Sequence, residues 1–459
     1  MSAKVVMEGR GRDVAVVGTG MAGLVTAYLL HHDRQQRFRV HLLDKSPQIS
    51  LTAESIATAS THRGTVWADV PMRAFAGGYY HNLLRMYDHL GICYQPQPFV
   101  FGFSRRLAHQ AHAVEPYMIH ASNFHQTPPI PRGHFVRWIW EVIYVLFCYW
   151  WFVLCCFFVR PLVFGNSEGE SFDHYLRRNY LPLYYIDSYL LPMISSVCTC
   201  SHVQLRRFPA SDIIAYKRLI HRQPHFVVPD GVYTVQEKLL RGLDVRLGVE
   251  TMGVLPTSQG VQLTLRGPTG VYTQLFDLVV LAVSPDVAAA IFSPARPSLQ
   301  EVPTTTVQTV AHTDFSNVVA PLQDRSALHP GPGSPQMICF CTNGLVTEAI
   351  HAQPNGILIT TNPLTSIDPT TIIRSAVFTR VLRTPASQGV LREIFREDGP
   401  TDAGSKRDVL VDELARWRNG DDGVYLAGGW CWDGMVLLEG CVVSAMRVAT
   451  DLGVAIPWI

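Results

Sequence analysis

A chain of 459 residues is too long for one small core, so two consecutive or interleaved domains are expected. A formal net charge of +1 and a pI near 7.7 supply no basic surface for a nucleic-acid partner. Charged residues make up 16% against 47% apolar, lean in charge for a soluble enzyme, which directs attention to one greasy segment.

Met1 to Arg12 carries charges and no apolar stretch of the length a secretory signal needs. No Asn-x-Ser/Thr acceptor occurs, and the ten cysteines form no C-x-x-C pair. Cys198 with Cys200, and Cys339 with Cys341, are spaced as on one face of a strand. Zinc would need closer grouping with histidines, so no metal is expected, and an intracellular protein with reduced thiols fits.

Asp13 to Val17 reads as a short buried strand. It runs into Gly18-Thr19-Gly20-Met21-Ala22-Gly23 and then into Leu24 to Leu30, which has helical spacing. A second apolar strand, Phe38 to Leu43, ends at Asp44, followed by Lys45. Each part has a mechanical reason in a dinucleotide site. Gly18 allows the tight turn, Gly20 lacks the Cβ that would block a diphosphate, and Gly23 lets the helix approach the sheet. The diphosphate would meet free amides at the helix start, at Met21 and Ala22. Asp44 is placed to accept from ribose hydroxyls, which disfavours a cofactor bearing a 2′-phosphate.

Trp138 to Val159 is apolar apart from Glu141 and is bracketed by Arg132, Arg137 and Arg160. Its length and composition meet the criterion for a membrane-spanning helix. Ser211 to Leu219 looks helical, with Lys217, His221 and His225 in or just after it. Val245 to Leu255 reads as a strand, followed by a hairpin and an apolar run from Phe276 to Val283. His109 and His112 read as a solvated face, and Ser167 to Phe172 as a helix cap. The proline-bearing stretches Thr127 to Pro131 and His329 to Pro335 read as loops.

At the far end, Val424 to Ala427 is a strand, Gly428-Gly429 a turn, and Gly440 to Leu452 a helix with Val442, Met446 and Ala449 on one face. The order of strand, Ala-Gly, aromatic-rich loop, Glu-Gly and helix resembles the C-terminal flavin segment of the amine oxidase and phytoene desaturase superfamily. Val227 to Leu240 and Phe276 to Pro285 resemble two further segments of that family. Within it, Ala68 to Phe75 and the Glu-Gly helix most resemble fungal flavoproteins akin to the flavin domain of plant cyclopropane fatty acid synthases.

The resemblance implies FAD, with Gly429, Gly434, Glu439, Gly440 and Cys441 falling where the family contacts it. Together with Gly18, Gly20, Met21, Ala22, Gly23, Asp44 and Lys45 they form the candidate cofactor set. One departure stands out: the family's Gly-Gly pair and arginine after the ribose acid are missing from Lys45 to Leu51.

The implied fold is α/β. A Rossmann-like FAD-binding domain (1–70, 228–295, 405–459) interleaves with an α+β substrate domain (71–227, 296–404) that carries the apolar insertion 138–159. FAD-domain pieces on both sides of that insertion argue against a single crossing. An in-plane or re-entrant membrane anchor is expected instead, with a buried or oligomeric helix as the alternative.

The function expected is an FAD-dependent oxidation or reduction of a hydrophobic substrate, an acyl lipid or isoprenoid, at a membrane surface. Two alternatives remain: a non-redox prenyl-binding protein resembling Rab GDP-dissociation inhibitors, and an oxidase of small amines. No catalytic residue beyond the flavin is marked, and Lys217 is a weak candidate for a place near N5.

Overall fold

The computed structural model describes residues 11–60, 64–106, 117–121, 135–164, 168–316, 335–353, 356–395 and 417–459. His109, His112, Arg132, Ser167, residues 405–416 and most of the two proline loops lie outside the described residues.

Two sheets organise the chain. The first is five-stranded and parallel, in the order Asp244–Leu247, Phe38–Asp44, Arg12–Val17, Leu278–Leu281, Val424–Leu426. Its central strands are β-branched and aliphatic, and Val14, Val16, Leu42, Val279 and Val280 are fully buried, as expected of a sheet covered on both faces. Helix α1 (Met21–His31) follows the first strand, and its residues Met21 to Leu30 are all buried. Helix α2 (His81–Leu90) and the C-terminal helix, described below, pack beside it.

The second sheet has seven strands: Ile372–Val381, Thr304–His312, Leu358–Thr361, Thr347–Ala352, Gln336–Thr342, Phe99–Arg105 and Met118–Ala121. It is antiparallel except where Gln336–Thr342 runs parallel to Phe99–Arg105. Strands of the parallel sheet come from residues 12–44, 244–281 and 424–426, and those of the second from 99–121 and 304–381.

The run expected as one strand, Val245 to Leu255, is two. Gly248 has φ +68°, and the chain turns there out of the parallel sheet into a three-stranded antiparallel sheet that starts at Glu250. A left-handed residue cannot sit in a continuous strand, so the apolar pattern alone hid the break. Cys198 and Cys200 also differ from expectation. They flank Thr199, at φ +51°, where a helix ends, whereas Cys339 and Cys341 do share a strand.

The greasy segment is helix α3 (Phe135–Phe158). Its two faces differ. Cys148, Phe152, Val153, Cys155 and Cys156 are buried, while Trp140, Phe147 and Phe158 are 67%, 70% and 80% exposed. Its single carboxylate, Glu141, accepts hydrogen bonds from the Tyr184 and Tyr189 hydroxyls. At the helix end the Cys155 carbonyl, which also accepts from Val159 N–H at 2.9 Å, and the Val159 carbonyl accept from the Tyr175 hydroxyl at 2.8 and 3.0 Å. Helix α4 (Ala210–Ile220) packs against α3, and Lys217 reaches from it to Tyr149. Helix α5 (Leu438–Asp451) closes the chain against α1.

Candidate functional site

A cavity of about 1420 Å³ lies between the two sheets. That exceeds the roughly 300–1,000 Å³ of a single small-molecule site, so it can hold a cofactor and a substrate together.

At one end is the turn into α1, where the three glycines behave differently. Gly18 has φ +107°, and a Cβ there would stand 2.5 Å from the Ala282 carbonyl oxygen. At Gly23 a Cβ would stand 1.9 Å from the Gly18 carbonyl oxygen, so helix and strand touch backbone to backbone. At Gly20 a Cβ would meet nothing within 4 Å, because Gly20, Met21 and Ala22 line the cavity. Helix α1 has no side-chain cap and no acid in its first turn, which leaves its first amides available to an anion.

Arg73 faces the same space. It lines the cavity, its Nε is shielded from water with no hydrogen-bond partner, and its Nη2 makes only a 3.5 Å contact with the Leu51 carbonyl. Burial lowers its pKa, with Asp69 pulling the other way. A buried guanidinium donor without a partner is costly, and a phosphate oxygen would complete it. Arg73 would then stand in for the arginine missing after Asp44, from the Ala68 to Phe75 segment. The sequence signal was a single arginine in a run apolar apart from Asp69.

Asp44 is buried, and neighbours hold its carboxylate. Its Oδ2 accepts from Thr19 N–H at 2.8 Å, Thr19 Oγ1 at 2.5 Å and Ser50 Oγ at 2.7 Å, and its Oδ1 accepts from Ser46 N–H at 2.8 Å. The acid therefore pins the second strand to the glycine turn, and a ribose would have to share it. Asp44 and the exposed Lys45 border a second hollow of about 560 Å³ with Gly248 and Arg266. Ser50 lines both hollows, so they adjoin.

The C-terminal candidates separate into two groups. Gly429 and Cys441 line the cavity, alongside Gly428, Trp430 and Leu438. Burial pushes the Cys441 thiol up to about 11, while Arg73 and the backbone at Gly429 and Ala22 pull it down. Gly434, Glu439 and Gly440 do not line the cavity. A Cβ on Gly440 would be 2.3 Å from Trp432 Nε1 and one on Gly434 2.7 Å from the Trp432 ring, so both make room for that indole. Glu439 turns to α2: its carboxylate accepts from Asn82 N–H at 2.9 Å, Asn82 Nδ2 at 2.8 Å and Leu83 N–H at 3.0 Å. It caps a helix remote in sequence.

The wall between these parts is braced by Arg383, which donates to the carbonyls of Trp432 and Trp430 at 2.6 and 2.8 Å and stands 3.7 Å from Asp212. Toward the second sheet the lining becomes aromatic and aliphatic, with Phe101, Phe340, Ile338 and Ile359. Tyr80 and Tyr216 border it, and burial raises both phenols, so they stay protonated at neutral pH. Burial pushes His351 down to about 3, and Gln336 and Gln353 hold its neutral ring at 2.8 Å each. Lys217 lines the cavity, but its ammonium bonds the Tyr149 hydroxyl of α3. Among the described residues no group of histidines, cysteines and carboxylates could hold a metal ion.

Comparison with known proteins bears on the family and the fold. Residues 16–90 match the family model of an NAD(P)-binding Rossmann-like domain, and residues 198–347 match that of flavin containing amine oxidoreductases. No curated protein matches the chain by sequence. Among solved structures, a protein from Exiguobacterium sp. 255-15 assigned as a protoporphyrinogen oxidase is similar, with TM-score 0.57 and 13% identity over 96% of this chain and 99% of its own. A CLA-producing fatty acid isomerase from P. acnes gives 0.58 and 10%, over 96% and 98% of the two chains. The cyclohexylamine oxidase of Brevibacterium oxydans IH-35A gives 0.56 and 12%, over 97% and 100%.

Proposed function

From its place in the FAD-dependent amine oxidase superfamily, where it is an FAD-dependent oxidoreductase, we propose that this chain acts on a hydrophobic substrate drawn from a membrane surface. Bound in the cavity, FAD would supply the two-electron redox chemistry. The chain's own residues do the rest. The Gly18 to Gly23 turn and the first amides of α1 would hold the diphosphate, and Arg73 would neutralise part of its charge. Gly429, in the turn after the last strand, and Cys441, in the first turn of α5, would face the ring system. The Trp430 to Trp432 wall and the phenylalanines of the second sheet would keep water from the reacting carbon.

The observation that carries the membrane reading is α3. Its outward stripe (Val136, Trp140, Ile143, Phe147, Leu154, Phe158) is apolar and open to solvent, far beyond the scattered exposure usual on a soluble protein. Its inward stripe (Trp138, Val142, Val145, Tyr149, Phe152) lines the cavity. Both recur at helical spacing, so the helix would lie in the interface plane with one face in lipid and the other over the substrate. Glu141, the one carboxylate of the helix, is bound by two tyrosines, and the exposed Arg137 sits in its first turn, where a lipid headgroup would meet it. The fatty acid isomerase of similar fold supports room for an acyl chain in this architecture. A dinucleotide turn for NAD(P)H beyond Gly18 to Gly23 is not evident in the sequence, which favours reoxidation by oxygen or a membrane carrier.

Flotation with liposomes tests this reading. The wild type should rise with the vesicles, and a Trp140→Asp, Phe147→Asp double variant should stay behind with its FAD content intact. A double variant that floats like the wild type would refute the anchor.

A further inference from the structure

The charge on the cavity wall is one-sided. Its described lining residues include Arg73, Lys217, Arg222 and Arg380 and no aspartate or glutamate. Two of these cations are engaged elsewhere. Arg73 stands at the diphosphate end, and Arg380 donates to the Cys198 and Val197 carbonyls. Lys217 and Arg222 remain, at the other end, where α3 meets α4. The Lys217 ammonium bonds the Tyr149 hydroxyl at 3.2 Å and sits 4.7 Å from that ring's centroid, which leaves it further donors. Among the described residues neither Lys217 nor Arg222 has an ion pair.

His221 lies between them, its ring against Trp150 and Phe157 and its buried Nδ1 without a partner. Burial lowers its pKa, and both cations add to that, which places the three in one electrostatic neighbourhood. Basic residues at the end of α4 suit its dipole, which accounts for Lys217 and Arg218 on the helix. It does not account for Arg222, two residues past the helix end, exposed and on the cavity wall. The cavity reaches the surface here: Leu146 and Trp150 line it, yet are 49% and 46% exposed on the lipid-facing side of α3.

We infer that Lys217 and Arg222 hold the carboxylate of a long-chain acid at this mouth, with the chain running inward past Tyr149 and Phe340. This deepens the hydrophobic-substrate reading and rests on it. It gives that substrate a polarity: charged head at the α3 mouth, aliphatic carbons toward the flavin end. A cationic amine would meet like charge at the entrance, and a neutral isoprenoid would leave the cluster uncompensated.

The test is calorimetric titration of the full-length, FAD-loaded protein in non-ionic detergent, with oleate and with methyl oleate. The wild type should bind oleate roughly tenfold or more tightly than the ester, as charge-assisted hydrogen bonds imply. Lys217→Met and Arg222→Met should each erode that preference, and the double variant should abolish it with ester affinity unchanged. Lys217→Arg should keep it, showing that charge and not fold was lost. Equal affinities in the wild type, or a double variant that still prefers oleate, would overturn the assignment. So would a double variant that keeps the preference but loses binding to vesicles of anionic lipid, since the cluster would then read the membrane. Heat is measured without reference to colour, so a flavin-free protein would sink the redox reading while leaving the head-group preference measurable.

Discussion

The two glycine-bearing segments that border the cavity, Gly18 to Gly23 and Gly428 to Cys441, look alike in sequence and work differently. In the first, each glycine serves the turn itself: Gly18 bends the chain, Gly23 lets strand and helix touch, and Gly20 opens onto the cavity. In the second, Gly434 and Gly440 yield space to Trp432, and Glu439 caps α2. Only Gly429 and Cys441 of its five candidates reach the cavity wall. A motif whose purpose is backbone geometry declares itself by spacing. A motif whose residues serve tertiary packing does not.

Substitutions can break that contrast. The largest effect is expected for Gly23→Ala. Its methyl group would overlap the Gly18 carbonyl oxygen, and neither backbone can retreat without moving the sheet. A cost above about 3 kcal/mol is expected, read as loss of soluble, cooperatively melting protein. Next, Glu439→Ala should lower the stability of the flavin-free protein by about 2–3 kcal/mol, because two amides and one side-chain donor at the start of α2 lose their acceptor. If this variant instead melts like the wild type and loses only flavin, the carboxylate serves the cofactor and the contrast fails.

Gly20→Glu and Arg73→Met should do the reverse. Gly20 has an ordinary φ of −71° and free space around it, so a side chain there should leave the apo-protein's melting unchanged while its carboxylate excludes the diphosphate. Removing Arg73, whose Nε lacks a partner, should weaken FAD binding about 10- to 100-fold without destabilising the apo-protein. A large drop in apo-protein stability in either variant would mean the turn is structural throughout.

The smallest effect is at Cys441, where the two segments meet. With its thiol held near 11, alkylation of the apo-protein should be slow at pH 8 and accelerate as the pH approaches 11, and FAD should protect it. The sign follows from burial, which disfavours the thiolate. Rapid alkylation at neutral pH would place Cys441 in a solvated setting.

The parallel sheet was legible because its strands are short, β-branched and buried on both faces, and because the turn off Val17 needs glycines at fixed places. α3 was legible as a helix by composition alone. Its division into an exposed stripe and a cavity stripe was not, since both are equally apolar and only the fold says which side is covered. Arg73 was hidden for a related reason: its importance lies in a buried Nε without a partner, and sequence cannot show an empty hydrogen-bond site. The break at Gly248 escaped because an apolar run continues across it. Asp44 was found as the acid at the strand end, while its ties to Thr19 and Ser50 depend on a loop closing back over the turn.

The visible absorption spectrum of the protein purified in detergent, before and after denaturation, addresses the central claim most directly. A yellow protein that releases FAD in stoichiometric amount is the expected result, with the Gly20→Glu variant colourless yet folded. A colourless wild type that takes up no FAD on reconstitution would contradict it.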